Sequence, residues 1–283
     1  MAVDLHLHTT ASDGRLSPTE LVRRAGRKGL RVIAITDHDS TEGLDEAMQA
    51  AQQFPQLTII PGIELSTDIP KGEIHILAYG IDPKAPTLQE LLREFRAARL
   101  DRGRRMVEKL AELGMPIPWE RVLELAQGGA VGRPHVAQAM LEAGWVSSIS
   151  EAFDLWIGRT GPAYAERPKL TPVEAVQMVK RLDGVTSLAH PADIPNLEDT
   201  VADLAAAGLS GIEAHYYGYA REYVDYLCRL AERHHLVPTG GSDCHGIPGG
   251  AGGDVGEVAV PLASAERLMA LIRQRKGTAS AVE

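Results

Sequence analysis

The chain of 283 residues has a formal net charge of −9, 44% apolar residues and two cysteines, Cys228 and Cys244. This composition suits a soluble globular protein with a sizeable core, and its acidic balance argues against a surface that coats nucleic acid in general. Two cysteines imply no disulfide framework, no apolar run is long enough to span a membrane, and the first residues lack a signal-peptide pattern, so a cytoplasmic protein without membrane contact is expected.

Val3 to His8 alternates apolar and polar residues, as a half-buried strand does, so His6 and His8 share one face. The turn Thr9 to Gly14 returns a carboxylate, Asp13, to the same strand end. Ser17-Pro18-Thr19-Glu20 combines an N-cap, a proline at the first helical position and an acid at the third, and Gly29 is placed to end that helix. Arg31 to Thr36 is nearly all apolar, as in a strand buried on both faces, and it runs into Asp37-His38-Asp39. A helix over about Glu42 to Gln53 leads to Leu57–Ile60 and Gly62-Ile63-Glu64. Glu73 to Gly80 is a further strand and carries His75.

Between residues 88 and 162 the pattern is helical, with expected helices over Leu88–Leu113, Trp119–Gln127, Pro134–Ala143 and Ser150–Ile157. We expect an all-helical insertion at 88–162, dividing a barrel into 1–87 and 163–283. The basic run Arg93, Arg96, Arg99, Arg102, Arg104 and Arg105 reads as a solvated helix face. Gly132-Arg133-Pro134-His135 instead puts a guanidinium and an imidazole at a helix start, a favourable place for a phosphate.

Strand–helix alternation resumes with a capped helix from Thr171 to about Leu182 and a strand Val185–His190. A helix over Thr200–Ala207, a strand Gly211–His215 and a helix Arg221–His235 follow. Val237–Gly241 then runs into Ser242-Asp243-Cys244-His245, and a last helix covers about Ala263–Arg275. Roughly seven β/α units with one interruption indicate an α/β barrel with its site at the C-terminal strand ends.

At those strand ends stand His6, His8, Asp13, His38, Glu64, His75, His190, Asp243 and His245. Six imidazoles and three carboxylates exceed the needs of one ion and suit up to three, and mixed N/O donors favour Zn, Mn or Fe over Mg. A lone His75 or His190 on an apolar strand is more often a satisfied core histidine; nine such groups at strand ends of one alternating fold are not. His234 and His235 sit at a helix C-terminus, where the dipole favours imidazole, and Cys244 fits core packing.

The motifs H-L-H-T-x-x-S-D-G, I-T-D-H-D, G-I-E, H-I-L, A-H-P and G-S-D-x-H, in that order across nearly the whole chain, resemble those of the PHP (polymerase and histidinol phosphatase) family. The resemblance implies a distorted seven-stranded β/α barrel with a trinuclear metal centre and phosphoesterase activity. Carried over by residue, it implies one ion on His6, His8, Glu64 and Asp243, a second on the bridging Glu64 with His75 and His190, and a third on Asp13, His38 and His245. Asp13 stands where some members have histidine. The helical insertion and G-R-P-H resemble the branch of 3′,5′-nucleoside bisphosphate phosphatases and 5′→3′ exoribonucleases acting on short 5′-phosphorylated RNA. Arg133, His135 and, more remotely, His215 are the implied substrate contacts.

The implied chemistry is attack on phosphorus by a hydroxide generated at the metals, with Glu64, Asp243 and His190 as catalytic ligands and Arg133 as clamp. A phosphorylated nucleotide or short RNA is the expected substrate, without a stable nucleic-acid complex. The rival readings are a histidinol phosphate phosphatase, an amidohydrolase-like C–N hydrolase, disfavoured because no lysine stands at a strand end, and a non-catalytic metal-binding regulator.

Overall fold

Short apolar runs separated by amphipathic helices build one seven-stranded sheet, ordered β1 (Val3–Asp4), β2 (Val32–Ile35), β3 (Thr58–Ile69), β4 (Gly72–Tyr79), β5 (Val185–Leu188), β6 (Gly211–Tyr216) and β7 (Val237–Gly241). The computed structural model describes residues 2–69, 72–166, 170–247 and 252–279. The sheet is nearly closed into a barrel. Leu5 donates its N–H to Gly240 O at 3.1 Å, Asp243 to His6 O at 2.9 Å, and Leu7 forms an isolated bridge with Cys244. The first strand is shorter than its pattern suggests: ladder pairing with β2 stops at Asp4, and His6 to His8 run on beside the segment after β7.

Asp4 fastens this seam. Its carboxylate accepts from Ser242 N at 2.9 Å, Ser242 Oγ at 2.6 Å and Gly256 N at 2.7 Å, although burial raises its pKa to about 6. Gly241 is required for the close approach, because a Cβ there would lie 2.5 Å from His6 Cβ.

The alternation departs from a regular β/α barrel at one point. β3 and β4 pair antiparallel from Gly62↔Tyr79 to Ile69↔Gly72, only two residues apart in the sequence, and β4 pairs antiparallel with β5. β3 is also far longer than the expected Leu57–Ile60, so Glu64 lies inside a strand rather than beyond its end.

The helix signals operate as read. Ser17 and Glu20 form a reciprocal capping box on α1 (Pro18–Arg27), as Thr171 and Glu174 do on α7 (Pro172–Arg181). The other helices are α2 (Leu44–Ala51), α3 (Pro86–Glu112), α4 (Trp119–Ala126), α5 (Arg133–Glu142), α6 (Ile149–Glu151), α8 (Leu197–Ala207), α9 (Arg221–Arg233) and α10 (Leu262–Ala279). α6 passes into a π-helical turn, Ala152–Ile157, where a single α-helix is expected.

Among the described residues between α3 and α7 no strand forms. Met106, Leu110, Val122, Val136, Met140 and Ile157 make an apolar cluster of their own, while Leu88, Leu92 and Phe95 at the other end of α3 pack into the barrel cluster with Ile63, Ile76 and Val176. α3 thus rivets the helical unit to the barrel. Among the described residues no helix is long and apolar enough to cross a membrane.

Candidate metal centre

The barrel geometry brings the nine strand-end groups to one place. His6 Nε2 lies 3.2 Å from Glu64 Oε2 and 3.2 Å from Asp243 Oδ1, and His8 Nε2 lies 3.2 Å and 3.0 Å from the same oxygens. On the other oxygen, Glu64 Oε1 is 2.8 Å from His75 Nδ1 and 3.2 Å from His190 Nε2, and those two nitrogens are 3.2 Å apart. Asp13 faces a third set: His245 Nε2 at 3.4 Å, with His38 Nε2 and His8 Nδ1 each at 3.9 Å. His38 Nδ1 also approaches Glu64 Oε2 at 3.1 Å, so His8 and His38 each turn a second nitrogen toward a neighbouring set.

Six of these buried atoms have no hydrogen-bond partner: His6 Nε2, both ring nitrogens of His8, His38 Nδ1, Glu64 Oε2 and Asp243 Oδ1. Leaving that many polar atoms unsatisfied is costly unless something else joins them. Convergent imidazole nitrogens and carboxylate oxygens at about 3 Å from one another form the donor set of a divalent cation, so the residues fit such ions.

The charges agree. Burial works against ionising Glu64, yet the surrounding His38, His6 and His75 hold its carboxyl well below the usual range, and Asp13 and Asp243 are likewise held down by adjacent imidazoles. Burial also works against a charged His8, but the Asp243 and Glu64 carboxylates beside it lift its pKa to about 10; for His75, Glu64 and Glu73 lift it to about 9. Burial wins at His38, which falls to about 3. Without cations, protons on His8 and His75 balance the carboxylates.

A second layer of buried acids holds the first in place, and sequence reasoning assigned it no role. Glu213 on β6 lies 3.0 Å from His6 Nδ1 and accepts the His190 N–H at 2.7 Å. Asp37 accepts from Thr9 N at 2.7 Å, Thr9 Oγ1 at 2.7 Å and Ser12 Oγ at 2.6 Å, pinning the turn that delivers Asp13. A Cβ at Gly14 would lie 2.6 Å from the His8 carbonyl, which is why that turn ends in glycine. Asp39 accepts from Ser66 N at 3.0 Å and from Arg99 Nε at 2.8 Å. His190 and Asp243, with φ of +24° and +52°, are held in backbone conformations that non-glycine residues rarely adopt.

Beside the Asp13 set lies a cavity of about 180 Å³ whose lining includes His38, His75, His245, Ser66, Glu73, Phe153, Arg99, Arg102 and Arg133. Two members of the basic run of α3 are therefore not solvated: Arg99 and Arg102 are only 5% and 4% exposed, their guanidiniums turned to the barrel mouth. Arg133 donates to Glu73 Oε2 at 2.7 Å and lies over the Phe153 ring at 5.4 Å.

Two expected substrate contacts stand elsewhere. His135 is 6% exposed, and its Nδ1 accepts the Gly132 N–H at 3.0 Å, so it caps α5 and is absent from the cavity lining. His215 faces α9, with Nε2 3.9 Å from Cys228 Sγ, because a register shift between Glu213 and His215 turns the two residues apart. Cys244 packs with Leu7 and Leu21 in an apolar cluster, as expected.

A family model described as "PHP domain" matches residues 4–94. The 5′-3′ exoribonuclease Rnm of Salmonella typhimurium is 35% identical over 86% of this chain and 84% of its own length. The 3′,5′-nucleoside bisphosphate phosphatase of Chromobacterium violaceum is 32% identical over 90% of each chain. Among solved structures, a chain from Bifidobacterium adolescentis assigned as a metal-dependent phosphoesterase superposes with a TM-score of 0.86 at 32% identity, covering 96% of both chains. With these likenesses added to a cluster of imidazoles around the Glu64 and Asp243 carboxylates in a seven-stranded barrel, the chain belongs to the PHP domain family and is a metal-dependent phosphoesterase.

Proposed function

We propose that the substrate is a nucleotide carrying a second phosphate, either a 3′,5′-nucleoside bisphosphate hydrolysed to the 5′-monophosphate or the 5′ end of a short 5′-phosphorylated RNA. The observation that carries this reading is the cavity in which Arg99, Arg102 and Arg133 meet the metal-ligand residues His38, His75 and His245. A simple monoester needs only the cluster. A cavity with three guanidiniums beside it suits a second anionic group held a fixed distance from the reacting one. The named relatives act on a bisphosphate and on RNA, which agrees with that arrangement.

In this reading His6, His8, Glu64 and Asp243 hold one divalent ion, Glu64 with His75 and His190 a second, and Asp13, His38 and His245 a third, the metals being Mn, Zn or Fe. Ions held there supply Lewis-acid charge to a phosphate and lower the pKa of water. The protein's own part is placement. Glu64 divides its oxygens between two sets, Asp243 and His190 aim donors from strained backbone, and Arg133 fixes the non-reacting phosphate. The helices of the 88–162 insertion, through Arg99, Arg102, Arg133 and Phe153, wall the cavity and narrow access to it.

The test is metal analysis of the purified protein together with product release from nucleoside 3′,5′-bisphosphates, 5′-phosphorylated di- to pentaribonucleotides and histidinol phosphate. Turnover of the first two classes well above the third is expected. Preference for histidinol phosphate would overturn the nucleotide reading while leaving the metal centre intact.

A further inference from the structure

The cluster is flanked on two sides, and only one flank has so far been given a use. Outside the lining of the arginine cavity, Tyr216 donates its hydroxyl to Asp243 Oδ2 at 2.7 Å and sets its ring edge-on to His190, with centroids 5.8 Å apart. From it a row of rings leads away: Tyr219 lies 5.0 Å from Tyr216, Tyr223 5.0 Å from Tyr219 and Tyr226 5.8 Å from Tyr223. Tyr217, in the same loop after β6, is 42% exposed. The loop is anchored to the neighbouring strand end, since Ala192 donates its N–H to Tyr219 Oη at 3.1 Å.

Packing explains part of this row. Tyr219, Tyr223 and Tyr226 lean on the barrel cluster, but all three are only partly buried and Tyr217 is outside that cluster. Core packing calls for apolar rings, not for an unbroken file of phenols that begins at a metal-ligand carboxylate. At the far end of the file Arg229 and Arg233 flank Tyr226, with Arg233 paired to Glu198 at 2.8 Å, and Arg221 stands between Tyr219 and Tyr223 in the sequence. Near the cluster the surface offers a run of aromatic faces, with Asp193 close enough to act on Tyr219 and Tyr223. Such faces take nucleobases by stacking and accept any base, because every base has a π-face.

Position decides which nucleotides these are. The arginine cavity reaches the cluster through His38, His75 and His245, the tyrosines through Asp243 and His190. A strand with its 5′ phosphate among the arginines and its first internucleotide phosphate at the cluster must leave past the tyrosines. We propose that Tyr216, Tyr217 and Tyr219 form the stacking surface for the nucleotides 3′ of the scissile phosphate of a single-stranded RNA. This rests on the nucleotide reading above and narrows it: the site is built for oligonucleotides, and a nucleoside bisphosphate fills half of it.

The experiment measures binding as well as turnover. Affinities of the metal-loaded protein are compared for a 5′-phosphorylated mononucleotide and for a phosphorothioate-linked trinucleotide, in wild type, Tyr217→Ala/Tyr219→Ala and Tyr219→Phe. Each protein's trinucleotide-to-mononucleotide ratio is its own control for folding. The wild-type ratio should be about tenfold or more, the scale of stacked bases. It should fall to about twofold or less in the double alanine variant and be kept by Tyr219→Phe, which retains the ring. A trinucleotide with 4-thiouridine at its second or third position should cross-link on irradiation to Tyr217 or Tyr219, mapped by mass spectrometry. An unchanged ratio in the double variant, or cross-links confined to other elements, overturns the proposal. If the mononucleotide binds and bisphosphate is cleaved but length adds nothing, the stacking surface alone fails; if no nucleotide binds or turns over, both readings fall.

Discussion

Glu213 Oε1 lies 3.0 Å from His6 Nδ1, on the side of the ring away from the nitrogen that faces Glu64 and Asp243, while its other oxygen takes the His190 N–H at 2.7 Å. One buried carboxylate thus fixes the ring orientation of one candidate ligand and the backbone of another. A carboxylate behind a ligating histidine also raises the basicity of the metal-facing nitrogen.

Glu213→Gln keeps the shape but has a single oxygen for two donors. Metal affinity or turnover should fall about 10–100-fold, the usual cost of losing such a partner. Metal titration of the chelator-treated protein, with circular dichroism to show an unchanged fold, checks it; full affinity in the variant would remove Glu213 from the site.

Glu64→Gln should cost more metal than replacing any single histidine, because the two Glu64 oxygens serve different donor sets. Inductively coupled plasma analysis of the variants side by side measures this. Equal metal content in Glu64→Gln and His75→Ala would mean that Glu64 does not bridge.

Arg133→Ala should lower kcat/KM for a nucleoside bisphosphate by about 2–4 kcal/mol of transition-state stabilisation, the scale for truncating one member of a charged pair. The variant also leaves the Glu73 carboxylate without its 2.7 Å partner, facing the incoming phosphate. A chromogenic monoester, which has no second phosphate, should lose little. Equal losses on both substrates would place Arg133 at the reacting phosphate or in the fold.

Acidity should act on the metal-free protein and on metal binding in opposite senses. The folded chain holds His8 at about 10 and His75 at about 9, above the ordinary imidazole value near 6.5. Their contribution to apoprotein stability is fully present below that ordinary value and is lost as pH rises through about 9 to 10. Bound cations must displace these protons, so metal affinity should climb over the same interval. Thermal melts of the chelated protein and calorimetric metal titrations in buffers of different ionisation enthalpy test both; an apoprotein Tm rising from pH 7 to 10 would contradict the assignment.

Arg99→Ala should destabilise the fold by about 3–5 kcal/mol, since it breaks a buried ion pair by removing the guanidinium that faces the Asp39 carboxylate at 2.7 Å. Chemical denaturation gives the value. A loss under about 1 kcal/mol would return Arg99 to the solvated face expected for the exposed members of that run.

The candidate ligands were legible because strands end where apolar runs end, and a histidine or carboxylate there has few structural reasons to exist. The barrel was legible from strand–helix alternation, except at β3 and β4, where two strands successive in the chain pair antiparallel, an arrangement that periodicity does not register. Arg99 and Arg102 were misread because the face that α3 turns to the barrel mouth is itself polar; an apolar stripe marks what a helix buries in a core, not what it turns toward a charged cavity. His215 and Glu213 share a face in a regular strand, and the extra residue between them, where Glu213 pairs with Thr239 and His215 with Gly240, reverses their parts. The buried acids Asp4, Asp37 and Glu213 announce themselves only by being acidic next to apolar residues, and that signal does not tell a partner from a ligand.

The Asp4 clasp on Ser242 ties the first strand to the last, and the candidate ligands are divided in the same way: His6 and His8 lie on one side of the seam, Asp243 and His245 on the other. During synthesis the histidines leave the ribosome more than two hundred residues before the aspartate that faces them. An ion captured by the early segment finds imidazoles and Glu64 but not Asp243, so it is held by an incomplete set and can exchange. The full donor set would exist only once the barrel has shut, so complete loading would be a property of the finished protein rather than of the nascent chain.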